Sequence, residues 1–312
     1  MKIAIVGAAG KMGSWFAALL HGHGHELILV GRRREAVEQL AGTMDRCVAG
    51  GYADVVDADL VIIAVPLPAV ESVIGQLGPL VKPSQHVIDL SSLKMAPQAA
   101  ADKYMPQACF LGVHPMFGSG AEGLEGHNVI LTPSGCAAQA LADRVRRYIE
   151  PLGAHVVTMD PESHDEVMAI VLGLPALVVA AVARTALSSG HFAAARDVSG
   201  TSLEVLMSLT ESMLCQGSEL YGTLLSELPA SPRVASALTE SAAHFAHLVE
   251  EGNRSALIDE FAALGRQLEM HDHRAANAYA RMYAMLEALK QFPTHEQQMA
   301  SVEATPPPHG SC

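Results

Sequence analysis

An apolar strand runs directly into a glycine-rich turn at the start of the chain. Residues 3–6 (Ile-Ala-Ile-Val) are followed by Gly7-Ala8-Ala9-Gly10-Lys11-Met12-Gly13, and helical periodicity then covers residues 11–21. Such a turn presents backbone N–H groups and a positive helix N-terminus to a pyrophosphate. The spacing is one residue longer than the commonest dinucleotide fingerprint, but its position in a βαβ unit makes it a strong signal. The alternative is a glycine turn that only closes a strand onto a helix.

Short β-rich runs alternate with helical stretches over roughly the first 150 residues. The pattern predicts strands at 2–6, 26–30, 60–65, 86–90, 109–113 and 128–132, and helices at 11–21, 34–41 and 68–77, which is typical of stacked βαβ units. From about residue 160 the sequence is Ala- and Leu-rich and helical. We therefore predict an α/β fold: a Rossmann doubly wound parallel sheet over 1–160, an all-α substrate and dimerisation domain over 161–292, and a disordered tail over 293–312.

Composition narrows the possible partners. A net charge of −13 in 312 residues disfavours binding to nucleic acid or anionic lipid. The five cysteines include no Cys-x-x-Cys pair, so neither a zinc site nor a disulfide framework is indicated, and no metal is expected. The N-terminus lacks the order of a secretion signal, so a cytoplasmic location is expected.

One segment, residues 167–183, is uncharged and almost wholly apolar for 17 residues. This length is at the lower edge of what crosses a bilayer. The segment contains Gly173 and Pro175 and follows a polar run. We favour a helix buried on all sides at the core of a homodimer over a membrane span.

The second predicted strand ends in Val30-Gly31 and continues into Arg32-Arg33-Arg34. An NAD enzyme usually has an acidic residue there to hold the ribose hydroxyls. Guanidinium groups instead pair with phosphate oxygens, which favours NADP over NAD. The alternative is a solvated basic loop. The predicted cofactor-binding residues are Gly7, Ala9, Gly10, Lys11, Met12, Gly13, Arg32, Arg33, Val65, Pro66 and Ser91.

Two further segments follow predicted strands at the same sheet edge: residues 89–94 (Asp-Leu-Ser-Ser-Leu-Lys) and 112–118 (Gly-Val-His-Pro-Met-Phe-Gly). His114, followed by a proline at a strand end, is well placed to exchange a proton with a substrate. Ser92 could orient it. Taken singly, the histidine could satisfy a turn carbonyl and the serines could cap a helix.

Four segments together carry a family resemblance. Gly-Lys-Met-Gly-Ser-Trp-Phe (10–16), Asp-x-x-Ser-x-Lys (89–94), His-Pro-Met-Phe-Gly (114–118) and His-Asp-x-x-Met-Ala (164–169) occur in this order, and the chain resembles prephenate and arogenate dehydrogenases through about residue 230. The resemblance implies a Rossmann domain joined to a helical dimerisation domain and an oxidative decarboxylation of prephenate or arogenate. It implies that His114 is the catalytic histidine, with a working pKa expected near the ordinary ~6.5, and that Ser92 supports it.

The chain departs from the family where the substrate binds. Ala176 follows Leu174-Pro175 where many members have a histidine, and Gly120 stands where many have a glutamate. The stretch 203–216 contains Glu204 and Glu211 but no arginine to bind a substrate carboxylate. Three interpretations remain: another arginine or a partner subunit supplies that charge, the substrate is a different carboxylic acid, or the protein senses NADP without catalysis. The arginines that could substitute are Arg184, Arg196 and Arg233.

Overall fold

A computed structural model describes residues 1–215 and 218–291. The chain divides into two compact units. The first comprises residues 1–175 and 218–234, and the second comprises the remaining described residues. The tail predicted to be disordered, 293–312, lies outside the described residues.

The first unit is built on an eight-stranded sheet of order β3-β2-β1-β4-β5-β6-β7-β8. The strands are β1 (Lys2–Val6), β2 (Glu26–Val30), β3 (Cys47–Gly50), β4 (Leu60–Ile63), β5 (His86–Asp89), β6 (Cys109–Pro115), β7 (Asn128–Pro133) and β8 (His155–Thr158). All neighbouring pairs are parallel except β6 and β7. The predicted class, a Rossmann sheet followed by a helical region, is confirmed, although the sheet is mostly rather than wholly parallel.

Thirteen α-helices are present among the described residues. They are α1 (Lys11–Gly22), α2 (Arg34–Gly42), α3 (Val70–Leu77), α4 (Met95–Tyr104), α5 (Gly135–Ile149), α6 (Pro161–Met168), α7 (Leu174–Ser188), α8 (Phe192–Asp197), α9 (Thr201–Leu214), α10 (Ser218–Glu227), α11 (Ser231–Glu250), α12 (Arg254–His271) and α13 (Ala278–Leu289). A π-helical turn, Ala169–Gly173, joins α6 to α7.

The sheet buries a separate apolar core on each face, because successive side chains of a strand point to opposite sides. Ile3 and Ile5 belong to the core beneath α1, α2 and α5, whereas Ala4 and Val6 belong to the core beneath α3 and α4. Right-handed crossovers explain the positions of α1 to α4, since the sheet is built outward in opposite directions from β1 and from β4, which places α3 and α4 on the other face from α1 and α2. The reversal also creates a crevice at the carboxyl ends of β1 and β4.

The continuous helical stretch from Pro161 to Ser188 is the one helix of the described chain that is long and apolar enough to cross a membrane by length and composition. Its first turns contain the buried polar residues His164 and Asp165, whereas Val167 and Ile170 are 46% and 55% exposed. The expectation that this helix is buried on all sides is therefore not met within a single chain.

Candidate active site

The turn after β1 requires glycine for steric reasons. Gly7 has a φ of +92°, and a Cβ on this residue would lie 2.3 Å from the carbonyl oxygen of Ala64. A Cβ on Gly13 would lie 2.2 Å from the carbonyl oxygen of Gly7. The absence of side chains lets α1 begin close against the strands β1 and β4, with its N-terminus at the crevice.

A cavity of about 580 Å³ opens beside this turn. Seven of the residues predicted to bind a cofactor line it: Gly7, Ala9, Gly10, Arg32, Arg33, Val65 and Pro66. Lys11, Met12, Gly13 and Ser91 were also predicted and are not among its lining residues. The sequence interpretation missed Tyr52 and the residues Ala69, Ser72, Val73 and Gln76 around the start of α3. No motif marks these positions, because they come from irregular or helical segments that only the fold brings to the crevice.

The charge of this cavity is one-sided. Arg32 and Arg33 contribute to its wall, and no Asp or Glu does. Nη2 of Arg33 donates a hydrogen bond to the carbonyl oxygen of Ala9 at 2.7 Å, so this guanidinium also braces the glycine turn. Arg34 instead pairs with Glu38 one helical turn away. The size of the cavity, the glycines of the turn and the basic wall together fit a dinucleotide.

His114 lies on β6 and is almost completely buried. Its Nδ1 is 2.9 Å from Nε2 of His164, and Nδ1 of His164 is 2.7 Å from a carboxylate oxygen of Asp165. The carboxylate of Asp165 also accepts the backbone N–H groups of Lys94 and Met95, at 2.9 and 3.0 Å. The histidine on the sheet is thus connected to a carboxylate on α6 through a second imidazole.

When both imidazoles are neutral, this chain of contacts determines their tautomers. A carboxylate accepts hydrogen bonds, so Nδ1 of His164 carries the proton and its Nε2 accepts. Nδ1 of His114 must then donate to His164. Consequently Nε2 of His114 is left as the unprotonated, basic nitrogen, which is the state that a general base requires.

The surroundings keep His114 neutral. Burial lowers its pKa well below 6.5, and electrostatic repulsion by Lys94 and by His164 lowers this pKa further. The expected working pKa near 6.5 is therefore wrong, because the sequence did not show how completely the imidazole is removed from water.

A buried ion pair organises the loop after β5. Nζ of Lys94 lies 2.5 Å from a carboxylate oxygen of Asp89, and the hydroxyl of Ser91 donates to the same carboxylate at 2.8 Å. Burial lowers the pKa of Lys94, and the attraction of Asp89 opposes this effect. Gly112 makes room for the lysine, since a Cβ there would lie 2.6 Å from its Cδ. The motif residues Asp89, Ser91 and Lys94 thus form a structural unit beside His114.

The hydrogen-bond partner of His114 is His164, a residue that the sequence motifs include but to which the sequence analysis assigned no role. Within the described chain, no hydrogen bond joins Ser92 to His114, and the supporting role of Ser92 stays a prediction. The roles of His164 and Asp165 could not be derived from spacing, because His164 is 50 residues away from His114 in the sequence.

Two of the arginines considered as substitutes for the missing substrate arginine are engaged by carboxylates. Arg196 on α8 lies 3.2 Å from Glu204 and 3.5 Å from Glu211, the two glutamates of the arginine-free helix α9. Arg233 pairs with Glu166. The acidic residues of α9 therefore have an internal function, which is to hold an arginine of the neighbouring helix.

Fold and site together fit a class, the Rossmann-fold proteins that bind a dinucleotide. Residues 16–158 match the family model described as prephenate dehydrogenase, nucleotide-binding domain. Residues 16–158 therefore resemble a nucleotide-binding domain of this kind, which spans somewhat less than half of the chain.

Two curated relatives differ in how much of their length aligns. A probable arogenate/prephenate dehydrogenase of Methanocaldococcus jannaschii is 30% identical over 177 residues, which are 56% of this chain and 40% of that protein. A 4-amino-4-deoxyprephenate dehydrogenase of Streptomyces pristinaespiralis is 25% identical over 295 residues, which are 91% of this chain and 97% of that protein. The first comparison thus spans less than half of the relative, and the second spans nearly all of it.

Solved structures share the fold over most of the chain. Synechocystis arogenate dehydrogenase superposes with a TM-score of 0.68 at 21% identity, covering 87% of this chain and 100% of that one. Prephenate dehydrogenase from A. aeolicus, in complex with hydroxyphenyl propionate and NAD+, gives 0.70 at 20% identity and covers 87% and 98%. At these identities the likeness establishes the fold.

Proposed function

We propose that this protein is an NADP-dependent dehydrogenase that oxidatively decarboxylates prephenate, arogenate or a related cyclohexadienyl acid, a reaction of tyrosine-type aromatic biosynthesis. The observation that carries the proposal is the unprotonated Nε2 of His114, whose Nδ1 contacts His164, which in turn contacts Asp165. His114 is near the carboxyl end of β6, and the glycine turn follows the carboxyl end of β1, so both belong to the same edge of the parallel sheet.

The proton transfer is assigned to His114. Its Nε2 accepts the hydrogen bond of the ring hydroxyl and takes that proton as the hydride leaves the hydroxyl-bearing carbon. Bound NADP would supply the hydride acceptor. The opposite ring carbon then loses its carboxylate as carbon dioxide, and the electron pair of that bond makes the ring aromatic. The proton returns from His114 to the phenolate oxygen, which balances the reaction and resets the base.

His164 and Asp165 position this base. Nδ1 of His114 donates to His164, which is itself anchored to the carboxylate of Asp165, so Nε2 remains the nitrogen that takes the proton. The arrangement resembles the carboxylate–histidine part of a catalytic triad with one imidazole added. A positioned base of this type contributes about 10²–10⁴-fold to the rate.

The preference for NADP is supported by the basic wall of the cavity. The turn residues Gly7, Ala9, Gly10, Lys11, Met12 and Gly13 would hold the pyrophosphate, and Val65 and Pro66 would lie along the cofactor. Arg32 and Arg33 would pair with the 2′-phosphate. No carboxylate lines the cavity to repel this phosphate. Ser91 keeps its proposed cofactor contact only if its hydroxyl, which is bonded to Asp89, can turn.

A second candidate substrate is 4-amino-4-deoxyprephenate, in which an amino group replaces the ring hydroxyl. Two observations favour it. The relative that aligns over 97% of its length has this substrate in its name, and Gly120, Ala176 and the arginine-free α9 depart from the pattern of prephenate enzymes. A neutral His114 can accept a hydrogen bond from an amine as well as from a hydroxyl.

A substrate panel tests the proposal. Purified protein is given prephenate, arogenate or 4-amino-4-deoxyprephenate with NADP+ or NAD+, and formation of the reduced cofactor is followed by absorbance. We expect turnover with at least one acid, and the ratio of kcat/KM values identifies the substrate. Tight NADP+ binding without turnover of any of the three acids would overturn the assigned reaction and would favour a different carboxylic acid or a sensing protein.

We further propose that the protein is a homodimer in the cytoplasm. The dimer would form through the second compact unit, called the helical unit below. Several large apolar side chains of that unit are exposed in the single chain, among them Leu187, Phe261 and Leu268 at 65%, 68% and 63%. A contiguous exposed apolar patch marks an association surface in soluble proteins. A second copy of the chain would cover it.

A further inference from the structure

A second cavity, of about 430 Å³, lies in the first unit on the face of the sheet that carries α1 and α5. Its floor comes from β1, β4 and β5, represented by Ile3, Ile62 and Ile88, and one wall comes from Phe16 and Leu19 of α1. The proposed reaction uses none of these residues. The cavity therefore shares no lining residue with the candidate active site.

The topology explains why this space is open. Helix α1 packs against β1 and β2, and α5 packs against β6 and β7. The crossover helices of β4 and β5, namely α3 and α4, lie on the opposite face because after β3 the chain returns to the other side of β1 and adds strands in the opposite direction. A strip above β4 and β5 is left without a helix, and the apolar side chains below it form the floor of the cavity.

The rim of the cavity is basic. Arg144, Arg147 and Tyr148 occupy one face of α5, three and four residues apart. Nη1 of Arg144 donates to Nε2 of His86 at 2.7 Å, so the guanidinium is held across the gap from α5 to β5. The hydroxyl of Tyr148 lies 3.2 Å from Nε2 of His25. No Asp or Glu lines the cavity, although the chain carries 33 acidic residues against 20 Lys and Arg.

His86 also offers an unused donor. Because its Nε2 accepts from Arg144, the proton of the neutral ring is on Nδ1. This Nδ1 is buried and has no hydrogen-bond partner among the described residues. A buried polar atom without a partner is unusual in a protein and costs free energy. The pKa of His86 is lowered, first by burial and then by Arg144, which keeps the ring neutral.

We propose that this cavity binds a small amphipathic carboxylic acid whose apolar body occupies the space between α1 and α5 and whose carboxylate pairs with Arg144 at the rim. An apolar interior with a few polar groups at one end is the usual form of a small-molecule site, and 430 Å³ is within the range of such sites. A guanidinium selects a carboxylate over an alcohol or an amine, since it donates to an anion.

The test uses isothermal titration of the full chain with 4-phenylbutyrate, 4-phenylbutan-1-ol and 4-phenylbutylamine, which share one apolar body. We expect saturable binding of the acid, at least about ten-fold tighter than the alcohol, and weaker binding of the amine than of either. Absence of saturable acid binding, or equal affinity for acid and alcohol, would overturn the proposal.

Four variants locate the probe. Arg144→Gln removes an exposed side chain and should lower the affinity for the acid to that for the alcohol, whereas Val145→Trp should fill the cavity and abolish binding of both. Arg146→Gln removes the same charge from the same helix, but Arg146 lies outside the cavity and should leave binding unchanged. His114→Asn alters the candidate active site and should also leave binding unchanged.

Loss of binding in His114→Asn with retention in Arg144→Gln would place the acid in the active site and contradict the proposal. Circular dichroism melting of each variant confirms that it is folded.

Discussion

Nδ1 of His114 lies 2.9 Å from Nε2 of His164, and this contact joins β6 of the Rossmann sheet to α6, the first helix after the sheet. His164 in turn donates to Asp165, whose carboxylate also accepts two backbone N–H groups at the start of α4. The position and tautomer of the proposed base therefore depend on residues from three separate segments.

Replacing His164 tests this arrangement. His164→Asn breaks the connection between His114 and Asp165, so the tautomer of His114 is no longer determined. Because His164 is one cause of the lowered pKa of His114, the acidic limb of the kcat profile should move to higher pH in the variant. Turnover should fall about ten-fold or more. A reduced rate with an unmoved pH profile would show that His164 only supports packing.

The stability of the protein should depend on pH through His114. In the unfolded chain this histidine binds a proton below its ordinary pKa of about 6.5, whereas burial keeps the folded form neutral to lower pH. Between the lowered pKa of the folded chain and the ordinary pKa, the unfolded state therefore binds more protons than the folded state. The contribution of His114 to the free energy of unfolding is fully present above pH ~6.5 and is lost as the pH falls.

Urea unfolding at several pH values measures this dependence. The free energy of unfolding of the wild type should decline below pH ~6.5 more steeply than that of His114→Asn, by up to about 1.4 kcal/mol per pH unit, the effect of one proton. Parallel curves for the two proteins would mean that His114 has the same proton affinity in the folded and unfolded chain.

Charge reversal at the end of β2 tests the choice of cofactor. Arg32→Glu and Arg33→Glu should both weaken NADP+ binding far more than NAD+ binding, because only NADP+ has the additional phosphate. Arg32→Glu is the cleaner test, since Arg33 also bonds to Ala9 of the glycine turn and its loss affects both cofactors. Arg34→Glu is the control, because Arg34 lies outside the cavity. Equal losses for both cofactors in Arg32→Glu would identify a solvated loop.

Sedimentation velocity tests the proposed dimer. At micromolar concentration we expect a species of twice the chain mass, because the exposed apolar side chains of the helical unit, such as Phe261 and Leu268, would be covered in it. A single monomeric species at that concentration would contradict the dimer.

Buried strands and the glycine turn were predictable from sequence because their patterns are local. The residues of β1 and β2 were predicted as the structure has them, and four more strands were located to within two residues at either end. The edge strands β3 and β8 were missed, since each has only four residues and is partly exposed. Short edge strands need little apolar alternation and therefore leave a weak signal.

The candidate site was predictable only where a motif coincides with a strand end. His114 and the turn from Gly7 to Gly13 have that property, and seven of the residues predicted to bind a cofactor line the cavity beside the turn. The contact between His114 and His164 depends on how α6 packs beside the sheet, and the depressed pKa of His114 depends on burial that no single segment reveals. Both properties follow from tertiary structure, which residue spacing does not encode.

The most direct test of the account is the turnover of His114→Asn with the best substrate of the panel. Asparagine retains polarity and similar shape but lacks the basic nitrogen, so kcat should fall by about 10²–10⁴-fold while the Kd for NADP+ stays nearly unchanged, and Ser92→Ala should cost less. Near-wild-type turnover of His114→Asn would show that His114 is structural and would contradict the proposed mechanism.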